Sequence, residues 1–206
     1  MNALKIYLLL TAAGFGAYYT WGRMTALPDL TPETKITFYG PPGSDTTQIL
    51  NELIKFRGLS ANPVPVNSIE DINSLRIMDR LIDAGVADSP DQVNLPFLLV
   101  EDRFVTYDEF LKALEKLPLS NVFESPYPYM VVYGVQNCPY SLTAIRELES
   151  SGLKYELRDV NDPRYRARFS ALLLAHKKTF VEWPVMDVNG HLLIKPSMDE
   201  VRRYYR

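Results

Sequence analysis

At 206 residues the chain is long enough for two domains of roughly 100 residues each. With 47% hydrophobic and 23% charged residues it is not a disordered chain, and a net charge of -3 with acidic and basic residues interleaved excludes a basic nucleic-acid footprint. One cysteine and two histidines exclude an internal disulfide framework and a multi-cysteine metal site, so no metal is expected.

Residues 6–22 carry no charge, are bounded by Lys5 and Arg23, and end in Tyr18, Tyr19 and Trp21. A helix of that length is near the lower limit for crossing a hydrocarbon core of about 30 Å, and aromatic rings at its end suit the interface. The pattern predicts an N-terminal transmembrane helix within residues 1–24 that ties the protein to a membrane. A cleaved signal segment with a small-residue site near Thr11, Ala12 and Ala13, and a buried soluble helix, are the alternatives. Lys5 and the amino terminus outweigh Arg23, which places the globular part on the periplasmic or extracytoplasmic side. Residues 25–34, with Pro28 and Pro32, read as a linker.

The remainder repeats one pattern twice. Residues 35–40 (KITFYG) and 129–134 (YMVVYG) are apolar strands ending at Tyr-Gly. Each leads through a turn to a helix, predicted over 47–56 and 142–151, then to a short strand, over 64–66 and 155–160. A longer helix follows, over 69–84 and 163–178; its apolar stripe at 75–86 reads as core. Next comes a proline opening an apolar strand, at Pro96 and Pro184. Turns at Glu101-Asp102 and Asn189-Gly190 lead into hairpin partners, and closing helices are predicted over 108–117 and 198–205. Residues 118–128 are rich in proline and serine and separate a cysteine-free domain, 35–117, from a second domain, 129–206. The order β-α-β-α-β-β-α demands a parallel pair joined by a right-handed crossover, plus an antiparallel hairpin.

Cys138 follows the second Tyr-Gly strand in the run Cys138-Pro139-Tyr140-Ser141. A cysteine at a helix start meets unpaired backbone N–H groups and the positive end of the helix dipole, which favour the thiolate, the nucleophile of thiol–disulfide exchange. Pro139 costs little in the first helical turn because its missing donor has no partner there. The bland alternative is a small buried hydrophobe. Ser141 can donate to a thiolate but cannot close a disulfide, so exchange at Cys138 is monothiol.

The run from Val131 to Ser141 resembles the active-site segment of glutaredoxins, and the repeated element order resembles two tandem thioredoxin/glutaredoxin-like folds, an α/β class with a mixed sheet flanked by helices. The resemblance implies a thiol–disulfide oxidoreductase with Cys138 and Ser141 at the catalytic position, and glutathione or protein thiols as co-substrate and partners. It also implies that Trp183-Pro184 resembles the segment whose cis proline faces the cysteine. Tyr140, Trp183, Pro184, Ser197 and Asp199 are then the candidate substrate- or glutathione-binding residues. The stretch at Lys195-Pro196-Ser197-Met198-Asp199 lacks the family's glycine pair, and Val135 stands where the family commonly has lysine. Some family members hold an iron–sulfur cluster between two such cysteines and glutathione. A second resemblance is to arsenate reductase-like proteins, through Tyr133 to Cys138 and Tyr155 to Asp159. In the first half, the loop with Ser44 and Asp45 holds no cysteine; a cap is the expected role there, in a non-catalytic partner domain like those that protein disulfide isomerases mix with active ones. The rival to an enzyme is a binding or scaffold module on the same fold.

Overall fold

The computed structural model describes residues 27, 29–89, 91–120, 127–179 and 181–205. The first repeat comprises β1 (Ile36–Gly40), α1 (Asp45–Phe56), β2 (Asn62–Pro65), α2 (Ile69–Ser74), α3 (Met78–Asp83), β3 (Phe97–Val100), β4 (Arg103–Thr106) and α4 (Tyr107–Leu114). The second comprises β5 (Met130–Gly134), α5 (Pro139–Ser151), β6 (Glu156–Asp159), α6 (Pro163–Ala175), β7 (Val185–Val188), β8 (His191–Ile194) and α7 (Met198–Tyr204). Each repeat forms a four-stranded mixed sheet, ordered β2-β1-β3-β4 and β6-β5-β7-β8. β1 and β5 sit inside their sheets, parallel to β2 and β6 and antiparallel to β3 and β7.

The expectation of a membrane-spanning helix in front of this fold is corrected. The segment at residues 6–22 lies outside the described residues, and among those described no helix is long and apolar enough to cross a membrane. The longest have 13 residues, about 20 Å at 1.5 Å per residue against a core of about 30 Å. The fold class is two mixed sheets with their helices.

Local chemistry explains most element boundaries. Ser44, Ser68, Ser197 and Asp162 cap α1, α2, α7 and α6, and Thr106 with Glu109 forms a reciprocal capping box at α4. Asn189 and Gly190, at φ 49 and 82, make the tight β7–β8 hairpin. The single helix expected over 69–84 is divided. Ser74 Oγ donates back to the Glu70 carbonyl, and Arg76 adopts φ 55, which ends α2 and restarts the chain as α3. The apolar stripe survives the break, since Ile72, Ile77, Met78, Leu81 and Val86 are all buried on the outer face of the first sheet. The helix expected to run to residue 178 stops at Ala175, with Lys177 at φ 55. Leu30, in the stretch read as a linker, is buried in the core.

A single apolar core joins the two repeats. Ile36 and Phe38 from the first sheet, Leu50, Leu53 and Phe56 of α1, Phe169 and Leu172 of α6, and Val131 and Tyr133 of the second sheet belong to one cluster. Ala167, Ala171 and Ala175, four residues apart and all buried, make a shallow ridge along α6 that lets α1 approach closely. Polar contacts fix the register: Arg168 reaches Glu52 at 2.9 Å and lies 5.2 Å from the Phe56 ring centre, while Arg57 donates to the carbonyls of Leu117 and Ala175. The layers run α2/α3, first sheet, α1/α4, α6, second sheet, α5/α7.

Because Phe56 is buried in this shared core, Phe56→Ala should cost about 3–5 kcal/mol. In a Trp21→Phe background, Trp183 fluorescence, which reports on the second repeat, should show the fall in urea midpoint although the substitution lies in the first. An unchanged midpoint at Trp183 would mean that the repeats unfold independently.

Candidate active site at the start of α5

The site is built where β5 stops. A turn from Val135 to Cys138 is closed by the Cys138 N–H donating to the Val135 carbonyl at 3.0 Å, with Asn137 at φ 65. Asparagine tolerates that left-handed conformation better than most side chains. Cys138 is then the N-cap of α5, at φ -70 and ψ 120, and Pro139 takes the first helical position. The thiol is partly exposed and makes no capping bond while neutral. Its ionised form is met by the Ser141 N–H, the Ser141 hydroxyl and the Tyr140 N–H. These donors hold the Cys138 thiol below the ordinary cysteine value, the Ser141 backbone contributing most.

Ser141 is 2% exposed, and its Oγ is buried without another hydrogen-bond partner. An unpartnered buried hydroxyl is costly, and a neighbouring thiolate is the acceptor that relieves it. The hydroxyl reaches this place because Gly134 lets it. A Cβ at Gly134 would lie 3.0 Å from Ser141 Oγ and 3.2 Å from its Cβ. The first repeat has the same construction without sulfur. A Cβ at Gly40 would meet Thr47 Oγ1 at 2.8 Å and Pro96 Cβ at 3.0 Å. Ser44, at the position of Cys138, accepts from the Thr47 N–H at 3.2 Å and donates to Thr47 Oγ1 at 2.8 Å.

Both Leu95-Pro96 and Trp183-Pro184 are cis. The Pro184 carbonyl accepts from the Lys195 N–H at 2.8 Å, while the Lys195 ammonium lies 5.1 Å from the Tyr140 ring centre and 2.7 Å from Glu182. Lys195 thus ties the Pro184 segment to the residue two places after the cysteine, and sequence reasoning did not single it out. Tyr140 is 62% exposed. Trp183 turns away: its indole stacks on Phe169 at 5.6 Å, and Phe169 packs on Tyr133 at 5.0 Å. Trp183 remains partly exposed, and among the described residues neither its N–H nor its carbonyl is hydrogen-bonded. Ser197 is engaged in capping α7, and Asp199, with its side chain 92% exposed, pairs with Arg202 at 3.3 Å. The structure brings Cys138, Ser141 and Tyr140 together and links Tyr140 to the Pro184 segment through Lys195; among the described residues no side-chain hydrogen bond joins Ser197 or Asp199 to any of them.

Beside the cysteine loop lies an open groove of about 540 Å³ between α5, the end of β6 and the start of α6, lined by Val135, Ser141, Leu142, Ile145, Leu157, Asp159 and Arg164 among others. A second cavity of about 420 Å³ sits at the opposite end of β5 and is lined by Tyr129, Arg158, Arg168 and Asp187. Asp187 is 2% exposed and accepts from the Tyr129 hydroxyl at 3.3 Å and the Gly190 N–H at 3.0 Å. Burial pushes its carboxyl above the usual range. A lone acid inside an apolar strand just before Asn189-Gly190 was the available signal for it. Among the described residues no three His, Cys, Asp or Glu side chains gather as a metal site requires.

No family model matches this chain, and no curated protein matches it either.

Removing the hydroxyl donor in Ser141→Ala should move the Cys138 thiol up toward the ordinary cysteine value. The ultraviolet absorbance of the thiolate against pH checks this, and an unmoved titration would leave the hydroxyl without a part in it. Asp187 titrates with the opposite sign. Its folded value lies above its unfolded one, so its burden on stability is full at neutral pH and is relieved as pH falls through the folded value. Asp187→Asn keeps an acceptor for Tyr129 and Gly190, and should be at least as stable as the parent at neutral pH and lose this part of the pH dependence in urea denaturation.

Proposed function

We propose that the protein is a monothiol, glutaredoxin-like thiol–disulfide oxidoreductase acting through Cys138. The observations that carry this reading are a partly exposed cysteine at the N-cap of α5 and the buried, otherwise unpartnered Ser141 hydroxyl three residues on, with Ser141 and Tyr140 holding the thiol below its ordinary value. A buried structural thiol has neither the exposure nor a use for a stabilised anion.

In this reaction the Cys138 thiolate attacks one sulfur of an external disulfide, a new disulfide forms to Cys138, and the other half leaves as a thiolate. With Ser141 in place of a second cysteine the mixed disulfide cannot close internally. A second external thiolate, from glutathione or a protein, attacks it and returns Cys138 to its reduced form. Ser141 holds the thiolate before attack and as a leaving group. The Trp183 N–H and carbonyl, held beside cis Pro184, offer one donor and one acceptor to an extended substrate backbone. This supports a role for Pro184 in shaping the substrate surface and for the backbone of residue 183 in binding. Tyr140 adds an exposed apolar face next to the sulfur.

The reading is tested with a disulfide-linked peptide and an external thiol. The parent should form one adduct by mass at Cys138, release one equivalent of thiol, and be alkylated with a pH midpoint below that of a free cysteine; Cys138→Ser should lose exchange down to the uncatalysed rate. Equal turnover by Cys138→Ser, or an alkylation midpoint at or above about 8.5, the free-cysteine value, would leave the scaffold reading in its place.

A further inference from the structure

Six large apolar side chains are strongly exposed among the described residues, and three of them, Tyr140, Leu142 and Leu157, flank Cys138 or line the groove beside it. Such concentration marks a surface that another molecule covers. Ile145 lies between Leu142 and Leu157 in the same lining, and the buried, unpartnered Ser141 hydroxyl lies in the wall nearest the sulfur.

The charged residues of the groove narrow what can lie there. Asp162 and Arg164 satisfy each other through contacts of 2.6, 3.0 and 3.1 Å. Among the described residues the Asp159 carboxylate has no cationic partner: its one hydrogen bond is accepted from the Asn161 N–H of its own loop at 2.9 Å. The lining therefore offers four aliphatic side chains, Val135, Leu142, Ile145 and Leu157, and one carboxylate without an ion-pair partner, and its one cation among the described residues, Arg164, is paired. Glutathione, with two carboxylates against one ammonium, brings net negative charge to a surface that already holds an unpaired carboxylate. A polypeptide with aliphatic and basic residues near its disulfide fits both features.

We propose that the groove docks a disulfide-bonded polypeptide, with aliphatic side chains beside its cysteine seated on Leu142, Ile145 and Leu157 and a lysine or arginine opposite Asp159. This rests on the exchange proposed for Cys138 and names its substrate class. The Cys138 thiolate bonds to the polypeptide's cysteine sulfur, the original disulfide breaks, and the departing half carries away the electron pair as a thiolate. No further oxidant or reductant enters this step.

The test uses three disulfides that expel the same coloured aryl thiolate: a peptide cysteine flanked on both sides by leucine and lysine, one flanked by leucine and glutamate, and glutathione. Single-turnover release by the full chain should be about tenfold faster for the lysine peptide than for the other two, with the advantage shrinking as salt is added. In Asp159→Asn, which keeps the shape of the side chain, the ratio between lysine and glutamate peptides should fall to about twofold or less. Equal, measurable rates for all three probes would overturn the docking groove while leaving the chemistry of Cys138 standing. Release from none of them by folded protein, with release from all by urea-unfolded protein, would overturn the exchange reading and the groove with it.

Discussion

Where β5 ends, the chain must turn and start a helix whose first turn passes directly under the strand. A methyl group at Gly134 would crowd Ser141, whose side chain would have to give way for it. That close approach buries the Ser141 side chain, aims its N–H and hydroxyl at the N-cap position, and leaves residue 138 at the rim with donors beneath it. The sheet behind Gly134 holds it from both sides, through β6 and β7, and cis Pro184 enters at the start of β7. The reactivity proposed for one sulfur therefore depends on a steric constraint in a backbone that carries no reactive group itself.

The first repeat shows how much of the arrangement belongs to the fold and how much to the cysteine. Gly40 and Thr47 reproduce the close approach of Gly134 and Ser141, and Pro96, cis like Pro184, adds a contact at Gly40 that Gly134 lacks. Ser44 sits where Cys138 sits and receives a donor from the residue three places on. With an oxygen there the donors make an ordinary helix cap; with sulfur the same donors stabilise an anion. The first repeat is not idle, since Leu50, Leu53, Ile54 and Phe56 of α1 belong to the core shared with α6 and the second sheet.

What could be read in the sequence was whatever one segment encodes alone. The paired Tyr-Gly strand ends, the proline-opened strands, the Asn189-Gly190 hairpin and the helix start at Cys138 all follow from local turn and cap chemistry. The division between α2 and α3 was hidden because Ile72, Ile77 and Leu81 keep a helical stripe on either side of a break made by Ser74 and Arg76. The stacking of Trp183 on Phe169 was not legible either, because the two residues are distant in sequence. Lys195 and the groove drew on several elements at once, α5, β6 and α6 for the groove, and no spacing rule connects them. The core between repeats was invisible for the same reason, because an alanine ridge reads as ordinary helix until its partner is known.

The α1–α6 contact joins unlike surfaces: the helix between the two parallel strands of one repeat meets the helix that links the second and third strands of the next. Contacts of this head-to-tail kind do not close on themselves, and repeated between molecules they build open filaments. The corresponding surface of the first repeat, at α2 and α3, does not match α6. Counted from the helix starts, the places of Ala167, Ala171 and Ala175 are taken by Asn73, Ile77 and Leu81, and the last two are turned into their own core. The broken α2–α3 segment thus offers no counterpart of the α6 alanine ridge.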